Sequence, residues 1–358
     1  MHPMIKPSLR RGWRDRNTVR YGVTPAHSVL FGPLDTATES FLTLFDGTRT
    51  LPALREAATA LGLREGAADR VAAQLAAAGV LDDATAEREA AAQVTDGLRP
   101  DLASLSLLHP EPGGGLRRLV ARRAARVQVR GAGRVGTAIA AALAQAGVGR
   151  VRVVDGGRVL PQDTAPGGVR AEHVGRRRAD AAAEVVGSVT PWERPQDRRT
   201  AEEQRTAGTL VIFAPRDGLT AYAPDPSAAE ELIEAGTPHL YAGVVEATGF
   251  VGPLVLPGTT GCAGCMLRAR AAREPCWPLL VAQWRNARRS GIPACDGALA
   301  TAVAGLTACT ALAFLDRTAS EARSERTEVV LPRLTLTHHS VEPHPECPCG
   351  AAQAASPP

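Results

Sequence analysis

Two pairs of cysteines in the second half of the chain have the spacing of metal ligands. The members of the first pair are separated by two residues, and those of the second pair by one. Two such pairs on turns can supply four thiolates to a tetrahedral structural zinc ion. His344 is a spare ligand, and a redox dithiol at the first pair is the alternative. The predicted zinc ligands are Cys262, Cys265, Cys347 and Cys349.

A glycine-rich stretch forms a second candidate site. From Arg126 to Asp155 the sequence indicates a strand, a turn with the spacing G-x-G-x-x-G, an alanine-rich helix and a second strand. The glycines permit a tight turn, approach of a phosphate to the backbone and close packing of helix on strand; an acidic residue roughly 20 positions later accepts hydrogen bonds from a ribose. The helix N-terminus attracts anions. The predicted nucleotide-binding residues are Gly131, Gly133, Gly136 and Asp155.

The elements that must position these residues are those of an α/β domain. Thr209–Ala214 and His239–Val245 are apolar runs typical of buried parallel strands, and Gly249–Gly258 is a strand interrupted by a proline. The alanine-rich segment Gly297–Leu315, which contains Cys309, is predicted to be a core helix.

Composition limits the class of protein. With 358 residues, the chain is long enough for two domains. A net charge of +4 does not argue for a nucleic-acid partner. Lys6 is the only lysine, so a mechanism that needs a lysine in the body of the chain is excluded.

The expected location is the cytoplasm. No apolar run follows the basic N-terminus, and nowhere do 18 apolar residues run together, so neither a signal peptide nor a membrane span is expected. The seven cysteines are odd in number, and the close spacing of four of them suggests a metal rather than disulfides.

The N-terminal 83 residues form a separate small unit. Short β-rich runs near Leu9–Trp13, Thr18–Gly22 and Ser28–Gly32 precede three helical segments within Thr36–Gly79. This order is winged-helix-like. A DNA-binding surface is disfavoured because the third helix carries too little positive charge, whereas a structural cap without a ligand remains an alternative.

The run Ala146-Gly-Val-Gly-Arg-Val-Arg-Val-Val-Asp155 resembles the ThiF/MoeB family of ubiquitin-activating-enzyme-like adenylating domains. The resemblance implies ATP on the glycine loop, Asp155 on its ribose, a magnesium ion and an acyl-adenylate product. It also implies a zinc ion at the cysteine pairs. Family members often dimerise, so a homodimer is expected.

Three positions depart from the family pattern. The N-x-x-R-Q phrase is replaced by Asp163-Thr-Ala-Pro-Gly167, the G-K-x-K-A phrase by Gly175-Arg-Arg-Arg-Ala179, and the D-x-x-D-N phrase by Phe213-Ala-Pro-Arg-Asp217. An arginine is not equivalent to a lysine as a compact phosphate donor. The substitutes with catalytic potential are Arg176, Arg178 and Asp217, and a domain that has lost adenylation is the simplest interpretation.

In the N-terminal unit, the phrase Leu44-Phe-Asp-Gly-Thr-Arg-Thr-Leu-Pro-Ala-Leu54 resembles the PqqD-like RiPP recognition element. The resemblance implies that the leader of a precursor peptide adds a strand to the edge near Ser28–Gly32 and packs against the third helix. The peptide-contacting residues on this hypothesis are Val29, Leu30, Phe31, Val71 and Leu75.

The tracts Pro253–Gly258, Pro275-Cys-Trp-Pro278 and Gln283-Trp284 resemble the ThiF-like component of azoline-forming (TOMM) biosynthesis. The resemblance implies a scaffold that presents a precursor peptide to a separate YcaO-type cyclodehydratase. The second hypothesis is an active adenylyltransferase acting on a peptide or small-protein carboxyl terminus. An NAD-dependent oxidoreductase is disfavoured by the cysteine pairs.

The predicted architecture is a Rossmann-like ThiF domain with a mixed, mainly parallel sheet, preceded by a winged-helix-like α+β domain. The predicted divisions are a recognition element at 1–83, a linker at 84–115, a nucleotide-binding domain with its zinc site at 116–350 and a disordered tail at 351–358.

Overall fold

A computed structural model describes residues 1–192, 210–286, 292–317 and 324–354. The chain divides into two compact units, Met1–Ala121 and Arg122–Pro358.

The first unit consists of short strands followed by helices. Its strands are β1 (Pro3–Ile5), β2 (Arg11–Trp13), β3 (Val19–Tyr21), β4 (Val29–Phe31) and β5 (Leu81–Asp83). Its helices are α1 (Thr36–Leu42), α2 (Leu51–Ala60), α3 (Ala67–Ala77), α4 (Ala84–Gln93), α5 (Arg99–Leu108) and α6 (Gly114–Ala124), the last of which continues into the second unit.

The predicted β-meander and three helices are confirmed. Strands β2, β3 and β4 form an antiparallel sheet in that order, and its inner face packs on α1 to α3 around Tyr21, Phe41 and Leu75. Thr50 begins α2 as a cap, since its hydroxyl accepts a hydrogen bond from the amide of Ala53. This part of the chain is therefore an α+β unit.

Two features of the first unit were not predicted. Strand β1 pairs with β5 in a separate two-stranded sheet. Lys6 is buried, and its Nζ donates hydrogen bonds to the carbonyls of Ser106 and Pro110 at 2.5 and 3.1 Å. Burial lowers the pKa of Lys6. The only lysine of the chain therefore ties its N-terminal strand to the end of α5.

The segment predicted to be a linker, 84–115, lies inside the first unit. It contains α4 and α5 and the start of α6. The predicted boundary at Gly115 and the observed one at Ala121 differ because α6 runs through both positions.

The second unit has one large sheet with helices around it. Its strands are β6 (Arg126–Arg130), β7 (Arg150–Val154), β8 (Leu210–Phe213), β9 (His239–Val245), β10 (Thr248–Val255), β11 (Glu325–Val330) and β12 (Thr335–Ser340). Its helices are α7 (Arg134–Gln145), α8 (Arg178–Val189), α9 (Leu219–Tyr222), α10 (Glu230–Glu234), α11 (Ala263–Arg273), α12 (Trp277–Asn286), α13 (Gly297–Leu315) and α14 (Ala351–Ala354).

The sheet is mixed, as predicted. Its strand order is β12-β11-β10-β9-β8-β6-β7. Strands β7, β6, β8 and β9 are parallel, whereas β10, β11 and β12 extend the sheet by antiparallel pairing. Parallel pairing places the carboxyl ends of β6, β7 and β8 at one edge, where the glycine loop begins.

Helix α13 has the predicted bounds and carries part of the core. Leu299, Val303 and Ala311 are buried in the same cluster as strands β6 and β8. Within the described residues, this is the one helix long and apolar enough to cross a membrane by length and composition. Cys309 lies exposed on the opposite face, so the predicted core helix is buried on one side.

The predicted disordered tail begins too early. Ala351–Ala354 form the short helix α14, and Ala351 is buried. The remainder of the predicted tail, 355–358, lies outside the described residues.

Candidate functional site

The glycine loop is pressed against the end of β8. Gly131 follows β6 with a φ of 120°, a conformation that side chains rarely adopt. A Cβ atom here would collide with the carbonyl of Ala214, and one at Gly136 would collide with the carbonyl of Gly131. The turn and the start of α7 therefore require glycine at these two positions.

Gly133 leaves room for another group to approach the loop, and that group is Arg216. A Cβ atom at Gly133 would lie 3.3 Å from the Cα of Arg216. Arg216 is close because β8 is the parallel neighbour of β6 and its chain continues over the same edge. The space beside the central glycine is thus taken by the protein itself.

Asp155 follows β7 and is held by three hydrogen bonds. Its Oδ2 accepts from the amide of Ala132 at 2.9 Å, and its Oδ1 accepts from the amide of Gly157 and from Nε of Arg178, both at 2.8 Å. Burial raises the pKa of Asp155, but these bonds outweigh burial, so the pKa lies below its usual range. The carboxylate therefore stays ionised and links the glycine loop to α8.

Asp163 extends the ion-pair network toward β8. Its Oδ1 accepts from Nε of Arg216 at 2.5 Å, and Nη1 of Arg178 lies 3.6 Å from its Oδ2. The same Oδ2 accepts from the amide of Leu160. The two carboxylates, Asp155 and Asp163, are almost completely buried and share Arg178. We call Asp155, Asp163, Arg178 and Arg216 the loop ion-pair network.

Little space remains beside the loop. The cavity between Gly133, Arg134 and Arg216 has a volume of about 60 Å³. Arg134 donates hydrogen bonds to the carbonyls of Gln162 and Cys295, which hold the surrounding loops together. Sites for drug-sized ligands are typically about 300–1,000 Å³. This cavity is smaller than such a site, so the described residues enclose only a small space directly beside Gly133.

The predicted catalytic residues occupy three different settings. Arg178 lies at the loop, as part of the network. Arg176 forms an ion pair with Glu184 at 2.8 Å on the surface of α8. Asp217 accepts a hydrogen bond from the amide of Leu219 at the start of α9. The predicted trio is therefore not one cluster.

Sequence reasoning missed Arg216 and Asp163. Arg216 immediately precedes Asp217, the predicted magnesium ligand. Its position after a parallel strand next to β6 was a usable signal, because chain ends of neighbouring parallel strands meet at one edge. Its ion-pair partner, Asp163, could not be identified from the spacing of residues in the sequence.

The four predicted metal-binding cysteines come together. Their sulfur atoms all lie within 4.8 Å of one another, and three of the four residues are buried. The distance from Cys262 to Cys265 is 3.8 Å, and those from Cys262 to Cys347 and from Cys265 to Cys349 are both 3.6 Å. A tetrahedral ion with Zn–S bonds of about 2.3 Å separates its sulfurs by about 3.8 Å. The cluster therefore fits a metal of that size.

The thiols of the cluster shift one another's pKa values. The hydrogen bond from Cys262 lowers the pKa of Cys265 to about 4, whereas the same bond, with burial, raises the pKa of Cys262. Burial raises the pKa of Cys349 to about 11. A divalent metal would bind the four sulfurs as thiolates.

The spare ligand, His344, is not a member of the cluster. Its Nδ1 accepts a hydrogen bond from the amide of Glu346. The other cysteines are also separate: Cys276 and Cys309 are exposed, and Cys295 is half-buried. None of these three cysteines belongs to the group of four.

The predicted peptide edge is free within the described residues. Strand β4 pairs with β3 on one side only. Leu30 is 48 % exposed, while Val29 and Phe31 are half-buried against the core. The predicted contacts from the third helix need correction, because Val71 and Leu75 are buried in the core. Those two side chains support the edge rather than line it.

Comparison with known proteins identifies the second unit. The ThiF family model matches residues 112–349. Among curated protein sequences, no relative matches the chain.

Solved structures share the fold over nearly the whole chain. Escherichia coli MccB with ATP is 14 % identical, with a TM-score of 0.70 over 98 % of this chain and 100 % of that one. The microcin C7 biosynthetic enzyme MccB in complex with N-formylated MccA gives the same values. The heterocyclase TruD is 18 % identical, with a TM-score of 0.62 over 98 % of this chain but 43 % of TruD. Identities this low show a common fold.

Asp155→Asn is expected to lower the free energy of unfolding of the second unit by about 2 kcal/mol at neutral pH, because it removes the closer of the two charge partners of Arg178 and leaves only the 3.6 Å contact with Asp163. Since the fold lowers the pKa of Asp155, its stabilisation is complete above the ordinary carboxyl value of about 3.9 and is lost as the pH falls through the lowered pKa. Urea unfolding at a series of pH values measures the difference, which should shrink in acid.

Glu172→Gln is the matched control, since Glu172 belongs to an exposed pair with Arg170, and such pairs contribute about 0–1 kcal/mol. An Asp155→Asn deficit that stays constant through the acid range would contradict the assigned role of the carboxylate.

Proposed function

Since the chain belongs to the ThiF family, we propose that it is a member without adenylation activity, which captures a peptide and presents it to a modifying enzyme. One observation carries the proposal: Asp155, where the family resemblance places the ribose, already accepts three hydrogen bonds from its own chain. A carboxylate offers about four acceptor positions. The two hydroxyls of a ribose would have to displace one of these bonds.

The phosphate side of the loop supports the same proposal. Arg216 covers Gly133, and a guanidinium group in this position repels the magnesium ion that adenylation requires. Asp163 is the carboxylate nearest to Arg216, and its charge is compensated by Arg216 and Arg178. Adenylation would therefore require both ion pairs to open.

The proposed peptide site is the β4 edge of the first unit. An unpaired edge strand offers backbone donors and acceptors to an added strand, and Leu30 presents an apolar side chain on its outer face. MccB has been solved with N-formylated MccA, which supports binding of a partner by this fold. We take the ligand to be the leader of a precursor peptide, held by a PqqD-like recognition element.

The proposed recipient is a separate YcaO-type cyclodehydratase. The fold likeness to the heterocyclase TruD supports this choice, and this chain covers 43 % of TruD. The part of TruD without a counterpart here is larger than this chain's share, so a scaffold of this kind would need a partner for the chemistry.

The second candidate is an active adenylyltransferase. It is favoured by the end-to-end likeness to MccB, which has been solved with ATP. In this case Arg178 would turn from Asp155 to the phosphates, and Arg176 and Asp217 would supply the remaining cation and the magnesium ligand. Both candidates bind a peptide, so only the nucleotide chemistry separates them.

The cysteine cluster is proposed to hold a structural zinc ion. Its sulfur spacing and its four-thiol composition support zinc over a redox dithiol. The ion would tie α11 to the segment that precedes α14, and it would supply no chemistry to the glycine loop. Free thiols in such a site suit a reducing compartment such as the cytoplasm.

A homodimer through α13 is proposed as the assembled state. The helix carries no charged residue, and its outer face exposes Leu306 and Cys309. Leu336 pairs with Val329 on the same face of the sheet and is also exposed.

An apolar helix is usually covered by other elements on both sides. The small residues Ala302 and Gly305 permit a second helix to approach closely. A second copy of the chain meets these requirements.

Peptides selected from a displayed random library on the purified chain are expected to bind through the β4 edge. Leu30→Glu should weaken them at least tenfold, or about 1.4 kcal/mol, by fluorescence anisotropy, because it places a charge beside the apolar side chains of the added strand. Leu61→Glu changes another exposed leucine of the first unit and should have no effect. Full affinity in Leu30→Glu would exclude the edge as the binding site.

With the same peptides, ATP–pyrophosphate exchange is expected to stay at background. Robust exchange that Asp217→Ala abolishes would overturn the scaffold proposal and establish the second candidate.

Chain purified without chelator is expected to contain one zinc ion per chain by elemental analysis. Cys347→Ser should lose it, because three thiolates leave the tetrahedral site incomplete, while Cys276→Ser should retain it. Full zinc content in Cys347→Ser, or a metal-free wild type, would contradict this assignment.

Light scattering after gel filtration is expected to give twice the mass of one chain. Leu306→Glu should give the mass of a single chain, since it places a charge in the interface, and Leu279→Glu, on α12, should leave the mass unchanged. A monomeric wild type would argue against the dimer.

A further inference from the structure

A cavity of about 340 Å³ in the second unit has no role in the functions considered above. It lies between helices α11 and α12 and the outer strands β11 and β12. We call it the Trp277 cavity. Its volume lies at the lower end of the range of about 300–1,000 Å³ that is typical of small-molecule and peptide-anchor sites.

One wall of the Trp277 cavity is aromatic. Trp277 is buried and packs edge-on against Tyr222 with ring centroids 5.9 Å apart. Tyr222 in turn packs on Phe250 at 5.0 Å. Trp277 opens the tract Trp277-Pro278, so its position is fixed by the start of α12. The guanidinium of Arg270 lies over the ring of Trp277, 4.7 Å from its centroid. This wall is therefore rigid and aromatic, and the uncovered ring surface suits the hydrocarbon part of a side chain.

A cation lies directly against the aromatic wall. Arg326 lies over the ring of Tyr222, and its Nη1 and Nη2 donate to the carbonyl of Tyr222 and to Glu328 at 3.1 and 2.7 Å. Its Nε is buried and has no hydrogen-bond acceptor among the described residues. Buried donors without an acceptor are rare and point to a missing partner.

A second cation completes the site. Arg273, at the end of α11, lines the cavity and is exposed, and in the described part of the chain it makes no hydrogen bond or ion pair. The other two arginines of the lining are engaged, Arg270 with Glu274 at 3.3 Å and Arg285 with Asp225 at 3.4 Å.

The acidic groups of the lining are already engaged. Glu328 contacts Arg326 and lies 3.6 Å from Nε2 of His339, and Glu342 accepts a hydrogen bond from the hydroxyl of Ser340. Arg270, Arg285 and Arg326 each have a carboxylate partner, so Arg273 is the one arginine of the lining without a partner in the described part of the chain. An anion is the ligand that Arg273 accommodates.

We propose that the Trp277 cavity binds a carboxylate of a peptide, with the carboxylate between Arg273 and Arg326 and its hydrocarbon stem against Trp277. The carboxylate belongs either to an acidic side chain or to a C-terminus, since both offer the same two oxygens to guanidinium groups. The inference rests on the proposed function only in taking the ligand to be a peptide. It gives the second unit a peptide contact of its own, separate from the β4 edge.

Calorimetric titration of the full chain with three short peptides tests the proposal. The probes are acetyl-Phe-Ala-Glu-Ala-amide, acetyl-Phe-Ala-Gln-Ala with a free C-terminus, and the neutral acetyl-Phe-Ala-Gln-Ala-amide. At least one anionic probe should bind tenfold or more tightly than the neutral one, and the probe that does so identifies the source of the carboxylate. Equal affinity for all three peptides, or no binding, would overturn the proposal.

Variants locate the binding. Arg273→Gln should reduce the preference for the anionic probe at least fivefold, whereas Arg268→Gln, on the same helix but outside the cavity lining, should leave it unchanged. Because Arg273 is exposed, its substitution spares the core; an unchanged zinc content verifies that α11 is intact. An unaltered preference in Arg273→Gln would exclude the cavity.

The two peptide proposals can fail separately. Leu30→Glu should leave the binding of the anionic probe at its wild-type value. A loss of anionic-probe binding in Leu30→Glu would overturn the assignment to the Trp277 cavity, whatever the outcome at the β4 edge.

Discussion

The Asp155 carboxylate is the interaction on which the glycine-loop region depends. It joins the amide of Ala132, at the turn after β6, to the amide of Gly157 and to Arg178 at the start of α8. Arg178 then reaches Asp163, and Asp163 holds Arg216 against Gly133. Two buried carboxylates and two guanidinium groups thus neutralise one another's charges at the predicted nucleotide site. In a nucleotide complex, the phosphates and the metal ion would be the charged partners there. Removing Arg178 leaves Asp155 without a charge partner, and removing Asp163 does the same to Arg216, so these two central members hold the network together.

Local patterns could predict most of the framework. Strand His239–Val245 and helix Gly297–Leu315 have their predicted bounds because an apolar run and an alanine-rich run between turn residues are decided by neighbours in sequence. The cysteine cluster was predictable because both pairs have the spacing of metal ligands, the first at the start of α11 and the second in a turn segment. The pairing of Arg216 with Asp163 was not, since it depends on two loops that meet only after β6 and β8 lie side by side. The prediction that Val71 and Leu75 contact the peptide was wrong for a different reason. Periodicity identifies an apolar helix face, but it does not show whether strands of the same unit already cover that face.

In the rest of the second unit, the groups that stabilise the fold are different from the surfaces that could bind a partner. The cysteine cluster holds α11 to the end of the chain, and the buried, bidentate pair of Arg122 with Asp316 holds the start of the sheet to the end of α13. Two surfaces are left without a partner among the described residues. The Trp277 cavity has a buried arginine donor without an acceptor, and the outer face of α13 is apolar and exposed. On the proposed function, a family member without adenylation activity would keep these binding surfaces and act as a scaffold.

Calorimetric titration of the wild-type chain with ATP and magnesium tests the central claim most directly, because it needs no knowledge of the peptide. The closed ion-pair network predicts no saturable binding up to about 1 mM ATP, the upper end of usual Michaelis constants. Saturable binding of one ATP per chain, lost in Asp155→Asn, would contradict the account and show that the network opens for a nucleotide.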